Sequence, residues 1–520
     1  MTKDMKATTL IPALLAAALA LTACYDDKGH YDYTTLPEAT VSGIADTYTC
    51  NLLETLEIDP QLTASEPSSE YDCMWMCYDK KDFKKKIDTL SVERHLNYKV
   101  TLPLSTYQLI FACKNRSTGI TKYTYATLTV QSAGSRGWYV LKEASGNTEL
   151  DFFIGEKATP NILALTQGSP LLGRPRYLGF LNYAWLDEAS GKLSKGNQSF
   201  MVMTEQDARI FRIADMKEMA DFKDIFFEDA PDCKPGFWFG GSEENGMMNN
   251  GKLYAYTERN GQLGASKFAF PKDGDYELSP VFTKNATMSP LLFDMKHGKF
   301  CTSYTSPDNI VTLEDDAASQ IKNDFAGYEP VYFGFLYEDM WTGGKMYAVM
   351  KNQQTGILRI VYIDSNNLVY FDDAFMKNRI TRIQDVPSDA AFAKASCFAQ
   401  SRKFEMMYFA VNDKLYSYDL INNAEREVTR QSGVSAVPQG EQIVMMKHIV
   451  FDYADWQDPN IKEYVERLAV ATVSGTTYKL YLFEPQAGQV KDAPIVYQGS
   501  GRPVQVFYMS PYMGNTDVCY

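Results

Sequence analysis

A short phrase returns five times in the second half of the chain: a turn, a lysine, a few alternating aromatic and aliphatic residues, then another turn. It reads "NGKLYAYTERNG" at 250–261, "HGKFCTSYTS" at 297–306, "GGKMYAVMKNQQTG" at 343–356, "NDKLYSYDLINN" at 412–423 and "TTYKLYLFEPQAG" at 476–488. Runs this short, rich in aromatic residues and bounded by Gly, Asn and Asp, fit strands rather than helices. The lysines stand at 252, 299, 345, 414 and 479. The first two spacings match the repeat of a four-stranded propeller blade. The last two are longer and require insertions or a degenerate blade. "GWYVLKE" at 137–143 and "QSFMVMTEQDARIFRI" at 198–213 supply earlier blades. Residues 137–520 are therefore expected to form a β-propeller of seven blades, with eight as the alternative and a large two-sheet sandwich as the competing architecture. Helical patterns are scarce: "QDARIFRIADMKEMADF" is ambiguous, and "VPSDAAFAKAS" holds at most a helical turn.

Residues 37–132 alternate with period two. "YDCMWMCYD" puts Cys73, Trp75 and Cys77 on one face of a strand, and Tyr107, Leu109, Phe111 and Cys113 share a face of another. A mid-domain tryptophan followed by a late Tyr-initiated strand describes an immunoglobulin-like sandwich, with Trp75 in its core and Tyr107 as a corner tyrosine. The layout resembles PKD domains, although the glycine-aspartate signature usual behind the Trp strand is missing. The whole chain is thus expected to be all-β, a sandwich followed by a propeller.

The first residues read as a targeting device. Lys3 and Lys6 precede the apolar run "LIPALLAAALALTA", which is too short to span a bilayer and of the length of a signal peptide's apolar region. It ends in "LTAC", which resembles a bacterial lipobox. Residues 1–23 are then a signal peptide, and Cys24 becomes the acylated first residue of a lipidated tether, 24–36. Several acyl chains give stable anchorage where one is marginal. Asp26 and Asp27 resemble the acidic export tether of surface-exposed lipoproteins of the Bacteroidetes; a plain acidic linker of a periplasmic lipoprotein is the alternative.

Acidic residues outnumber basic ones 65 to 51, for a net charge of -14. Without a basic cluster such a chain is a poor nucleic-acid binder. The run "KKDFKKK" at 80–86 sits between strands as a solvated hairpin tip. Eight cysteines follow Cys24, at 50, 73, 77, 113, 233, 301, 397 and 519. They are too dispersed for a dense disulfide framework, so small buried hydrophobes, or one or two bridges within 50–113, are expected. The four histidines, 30, 95, 297 and 448, have no metal-ligand spacing, and no nucleophile, Walker or dinucleotide motif is present. "KDGDYE" at 272–277 reads as a turn rather than a calcium loop. Neither a metal nor another cofactor is expected, and no catalytic residue is assigned.

"CYDDKGHYDY" behind the lipobox, "LPEATVSGI" opening the first domain and "GWYVLKE...GNTELDFF" opening the second carry a wider resemblance. The chain is similar to the PKD-like surface lipoproteins of Bacteroidetes. That resemblance implies an outer-membrane accessory lipoprotein, facing the cell exterior, whose partners are a TonB-dependent transporter and its SusD-like lipoprotein, and which binds a glycan or peptide for uptake. Contact with the membrane is through the lipid alone. An extracellular propeller hydrolase or lyase, or a purely structural transporter subunit, is the alternative function.

Stacking aromatics on loops suit sugar or peptide ligands. Trp238 in "KPGFWFGGSEENG", Trp456 with its neighbour Asp455 in "DYADWQDPN", and Trp341 in "YEDMWTGGK" are the candidate ligand-binding residues.

Overall fold

The computed structural model describes residues 39–514, except 52–53, 64–69, 83, 101, 103–104, 132–135, 188–191, 228, 241–243, 257–266, 286–287, 305–307, 340–342, 456–459 and 487. At 131, 185–187, 192–196, 337–339 and 343 it describes the backbone alone. Cys24, Asp26 and Asp27 lie outside the described residues. The fold is all-β, with one short α-helix, Ile162–Gln167, among the described residues. The chain divides into two compact units, Met1–Val130 and Gln131–Tyr520.

In the first unit, period-two alternation places one face of each strand in a shared core. Trp75 and Cys77 are fully buried while Asp72 and Met74 face out. Tyr107, Leu109, Phe111 and Cys113 join them from the neighbouring strand Ser105–Asn115. These strands belong to a five-stranded antiparallel sheet, ordered Thr47–Asn51, Thr121–Gln131, Ser105–Asn115, Tyr71–Asp79, Asp88–Ser91. Leu56, Ile58 and Leu96, from the pair Thr55–Ile58 and Leu96–Lys99, complete the core. The Trp75 ring lies 4.8 Å from that of Phe111, and its indole N–H donates to the Arg94 carbonyl at 2.9 Å. This answers the polar end of a ring whose large apolar body drives burial. The lysine-rich run forms a turn, with the Asp82 carboxylate accepting from the backbone N–H groups of Lys84 and Lys86.

The second unit is a succession of seven sheets of three or four strands among the described residues. The second to seventh run in chain order. They begin at Pro175–Asp187, Pro235–Phe239, Leu292–Asp294, Tyr328–Asp339, Cys397–Gln400 and Gln442–Ala454. The first sheet is composite. Its order is Lys157–Thr159, Asn147–Ile154, Gly137–Ala144, Arg502–Met509, so the final strand, "RPVQVFYM", completes the sheet that the unit's opening residues begin. Trp138 pairs with Tyr508 and Val140 with Val506 across that junction.

Aromatic contacts link each sheet to the next. Tyr139 of the first meets Phe200 of the second at 4.8 Å. Trp238 of the third donates to the Phe180 carbonyl of the second. Phe237 and Leu253 share a cluster with Leu292 and Cys301 of the fourth. Phe300 meets Phe333 of the fifth at 5.7 Å, and Tyr332 meets Phe398 of the sixth at 5.8 Å. Ala399 and Tyr408 pack with Ile443 and Leu468 of the seventh. Tyr497 of the seventh then stacks on Phe153 of the first at 4.7 Å, so the packing order returns to its start.

The five recurring phrases fall in five successive sheets, the third to the seventh, but not on equivalent strands. Lys252, Lys414 and Lys479 begin or sit in third strands, whereas Lys299 and Lys345 lie in second strands. Part of the uneven spacing is therefore a shift of one strand within the sheet. The rest comes from added chain, such as the segment 365–379 between the third and fourth strands of the fifth sheet. The ambiguous stretch at 206–222 contains the strands Ala208–Arg212 and Glu218–Ala220, and "VPSDAAFAKAS" contains the 3-10 turn Phe392–Lys394.

Candidate functional site

The leading strands of the second, fifth, sixth and seventh sheets converge with Arg502–Met509 around a cavity of about 370 Å³. The segment Pro280–Thr283 closes another side. Val331 and Val504 in its wall are 36% and 39% exposed, which opens the cavity to solvent. The volume lies near the lower end for small-molecule sites, about 300–1,000 Å³, and so suits a small ligand or one unit of a polymer.

Several polar groups in this wall are committed to holding it. The Gln505 amide clamps the backbone of Leu178, accepting from its N–H at 2.9 Å and donating to its carbonyl at 2.8 Å. The Tyr332 hydroxyl accepts from the Gln400 backbone N–H at 2.7 Å, and burial pushes its pKa up to about 12. Gly334 is required here because a Cβ would lie 2.5 Å from the Gln400 Cβ. The Gln400 side chain donates to the Ser401 and Met406 carbonyls at 3.0 Å, while its Oε1 is buried without a protein partner.

His448 also lines the cavity, on a strand rather than a loop. Its Nδ1 accepts from the Arg402 backbone N–H at 2.9 Å, which places the proton on Nε2. Nε2 faces the Glu466 carboxylate at 3.5 Å. Burial lowers the histidine pKa, so the ring is neutral near pH 7. Glu466 is held down to about 2 by His448 first, with Lys403 and Tyr464 also bonded to it. Nδ1 is thus bonded, and Nε2, buried without a hydrogen-bond partner, faces Glu466 rather than the cavity, so the imidazole reads as a brace in the wall.

The cavity's charge opposes that of the chain. Arg176, Arg402 and Lys447 line it, and among the described residues no Asp or Glu does. Arg176 pairs with Glu205 at 3.0 Å. The Arg402 guanidinium stacks on the Phe335 ring at 5.3 Å, and among the described residues no carboxylate pairs with it. The half-buried rings of Tyr177 and Phe282, 5.8 Å apart, give the cavity an apolar side.

Neither of the two expected ligand residues that the structure describes, Trp238 and Asp455, lines this cavity. Trp238 is a correction. It stands in the strand Pro235–Phe239, with no exposed surface, and its indole N–H donates to the Phe180 carbonyl at 3.0 Å. The glycines that read as a loop are spaces for rings: a Cβ on Gly179 would lie 2.4 Å from Trp238, and one on Gly246 would lie 2.2 Å from Phe239. Asp455 follows the strand Gln442–Ala454, where its carboxylate accepts from the Tyr453 hydroxyl at 3.1 Å, and it does not line the cavity. Trp341 and Trp456 lie outside the described residues.

Two further features had no sequence signal. A second cavity of about 510 Å³ lies between the fifth and sixth sheets, but both of its cationic side chains are engaged. Lys345 pairs with Glu405, and Arg382 stacks on Tyr362 at 4.1 Å. On the surface, Tyr304, Tyr370, Phe371 and Phe375 form an aromatic cluster in which Phe371 is 80% exposed. Among the described residues no three His, Cys, Asp or Glu side chains gather as a metal site.

Residues 24–175 match the PKD-like family, a span that runs from the tether through the opening strands of the second unit. No curated protein matches the sequence. Among solved structures, the chain is similar to a quinonprotein alcohol dehydrogenase-like protein from Bacteroides thetaiotaomicron. That match has 13% identity and a TM-score of 0.37, and covers 92% of this chain and 100% of that one. It is also similar to a DUF4784 family protein from Bacteroides caccae, at 12% identity and a TM-score of 0.32, over 77% of this chain and 97% of that one. A third is the dihydro-heme d1 dehydrogenase NirN, at 10% identity and a TM-score of 0.39, over 73% and 76%. Such likenesses say nothing of activity.

Proposed function

We propose that the chain is a non-catalytic, lipid-anchored binding protein of the outer membrane, whose second unit is a closed seven-bladed propeller with its ligand site in the cavity between the blades. In this reading the composite first sheet closes the ring, and the leading strands of the blades face the axis. The observation that carries the reading is the cavity itself, which is open to solvent, small, partly aromatic and cationic in an acidic chain. The bracing of His448 favours binding over hydrolysis. Acylation at Cys24, export through Asp26 and Asp27, and delivery of a captured nutrient to a TonB-dependent transporter and its SusD-like partner complete the proposal.

The test is calorimetric titration of the soluble form, starting at residue 25, against panels of small glycans and peptides. It is repeated with Val504→Trp, which fills the mouth of the cavity from a partly exposed position. A ligand bound by the wild type and lost in a normally folded Val504→Trp supports the reading. Retained binding moves the site elsewhere, with the Tyr370 and Phe371 cluster the next place to look. Multiple turnover of any polymer by the wild type contradicts it.

A further inference from the structure

We propose that the cavity takes a carboxylate-bearing sugar, with the Arg402 guanidinium as the partner of its acid group. This deepens the binding reading above and rests on it.

Arg402 is presented by a turn that is built before any ligand arrives. Its own N–H donates to His448 Nδ1, and the Ser401 hydroxyl oxygen accepts from the N–H groups of Lys403 and Phe404 at 3.3 and 3.2 Å. The nearby carboxylate of Glu466 is taken up by Lys403, Tyr464 and His448. It is therefore not the counter-ion of Arg402. The guanidinium lies over the Phe335 ring at 5.3 Å, a contact that uses no N–H, and its fork of donors suits bidentate recognition of a carboxylate. Arg176 in the same wall is paired with Glu205, so Arg402 is the cation on which an anion in the cavity would depend.

One more observation favours a sugar acid over a simple anion. Tyr177 and Phe282 offer apolar ring surface, which suits the C–H face of a pyranose.

The experiment titrates the soluble chain with galacturonic acid, with galactose as the same ring lacking the acid, and with the dipeptide alanyl-glutamate. Arg402→Gln removes the charge, and Arg402→Lys keeps it without the fork. Galacturonic acid should bind the wild type more tightly than galactose. Its affinity should fall about tenfold or more in Arg402→Gln, and fall less in Arg402→Lys, with melting temperatures close to the wild type. Raised salt should weaken galacturonic acid and leave galactose unchanged. Equal affinity for galactose and galacturonic acid, or no change in Arg402→Gln, would overturn the inference. So would preference for alanyl-glutamate over galacturonic acid. A neutral sugar that is lost in Val504→Trp but indifferent to Arg402→Gln would overturn the acid specificity while leaving the cavity reading in place.

Discussion

The Tyr478 hydroxyl donates to the Asp151 carboxylate at 2.6 Å, joining the seventh sheet of the second unit to the first across 327 residues of sequence. Asp151 is fully buried. It also receives the Lys142 ammonium at 2.7–2.8 Å and the Asn161 backbone N–H at 2.8 Å. A buried charge needs such a full set of partners, because an unpaired one is strongly destabilising. Tyr478→Phe removes one donor and keeps the ring. It is expected to cost about 1–3 kcal/mol, measured by denaturant unfolding of the second unit. No change in midpoint would mean that the contact does not hold the two sheets together.

Deletion of residues 502–520 removes the strand that completes the first sheet. If the sheets form one closed ring, the loss spreads to the whole second unit and its thermal transition disappears. A truncated chain that keeps a normal transition would contradict closure.

Trp238→Ala is expected to cost roughly 3–5 kcal/mol, as for other fully buried aromatic truncations. Gly179→Ala should be destabilising for the opposite reason, since its new methyl meets the indole at 2.4 Å. Both are read from chemical denaturation. A Trp238→Ala variant of normal stability would return that ring to the surface.

Acid should weaken the fold through His448. Its folded pKa lies below the unfolded value of about 6.5, so its contribution is complete above that value and is lost as pH falls through the folded pKa. Glu466, held at about 2, has the same sign: its contribution is present above the unfolded value of about 4.5 and is lost on the way down to about 2. Glu466, Arg402 and Lys403 are the charged groups that face the imidazole. His448→Gln keeps an acceptor for the Arg402 N–H and should flatten the melting temperature between about pH 7 and 5. An unchanged slope would assign the acid sensitivity to other groups.

Cys73 and Cys113 stand opposite each other on neighbouring antiparallel strands, with their sulfurs 3.8 Å apart as free thiols. Oxidised glutathione should couple them. One thiolate attacks the reagent's disulfide and releases a glutathione thiolate; the second cysteine then displaces the other glutathione. Two protein thiols become one S–S bond, and the protein mass falls by about 2 Da. Burial raises both thiols, Cys113 to about 12, so the reaction should be slow. Tryptic mapping that finds both thiols free after prolonged oxidation would contradict the pairing.

Period two made Trp75, Cys77, Leu109 and Phe111 legible as one core. The recurring lysine phrases marked sheets three to seven because each is a local strand bounded by turns. Trp238 was misread because Gly179, a distant residue, supplies the space for its ring; the nearby glycines imitate a loop. The cavity had no local signal at all. Arg402 and His448 are 46 residues apart, and Leu178 and Gln505 are 327 apart, yet each pair meets in one wall. Packing of successive sheets joins the first pair, and the return of the last strand to the first sheet joins the second.

The most direct measurement is a crystal structure of the chain soaked with galacturonic acid. The expected result is density for the sugar within the cavity, its carboxylate on the Arg402 guanidinium and its ring against Tyr177 and Phe282. An empty cavity with the sugar bound at the Tyr370 and Phe371 surface, or nowhere, would contradict it.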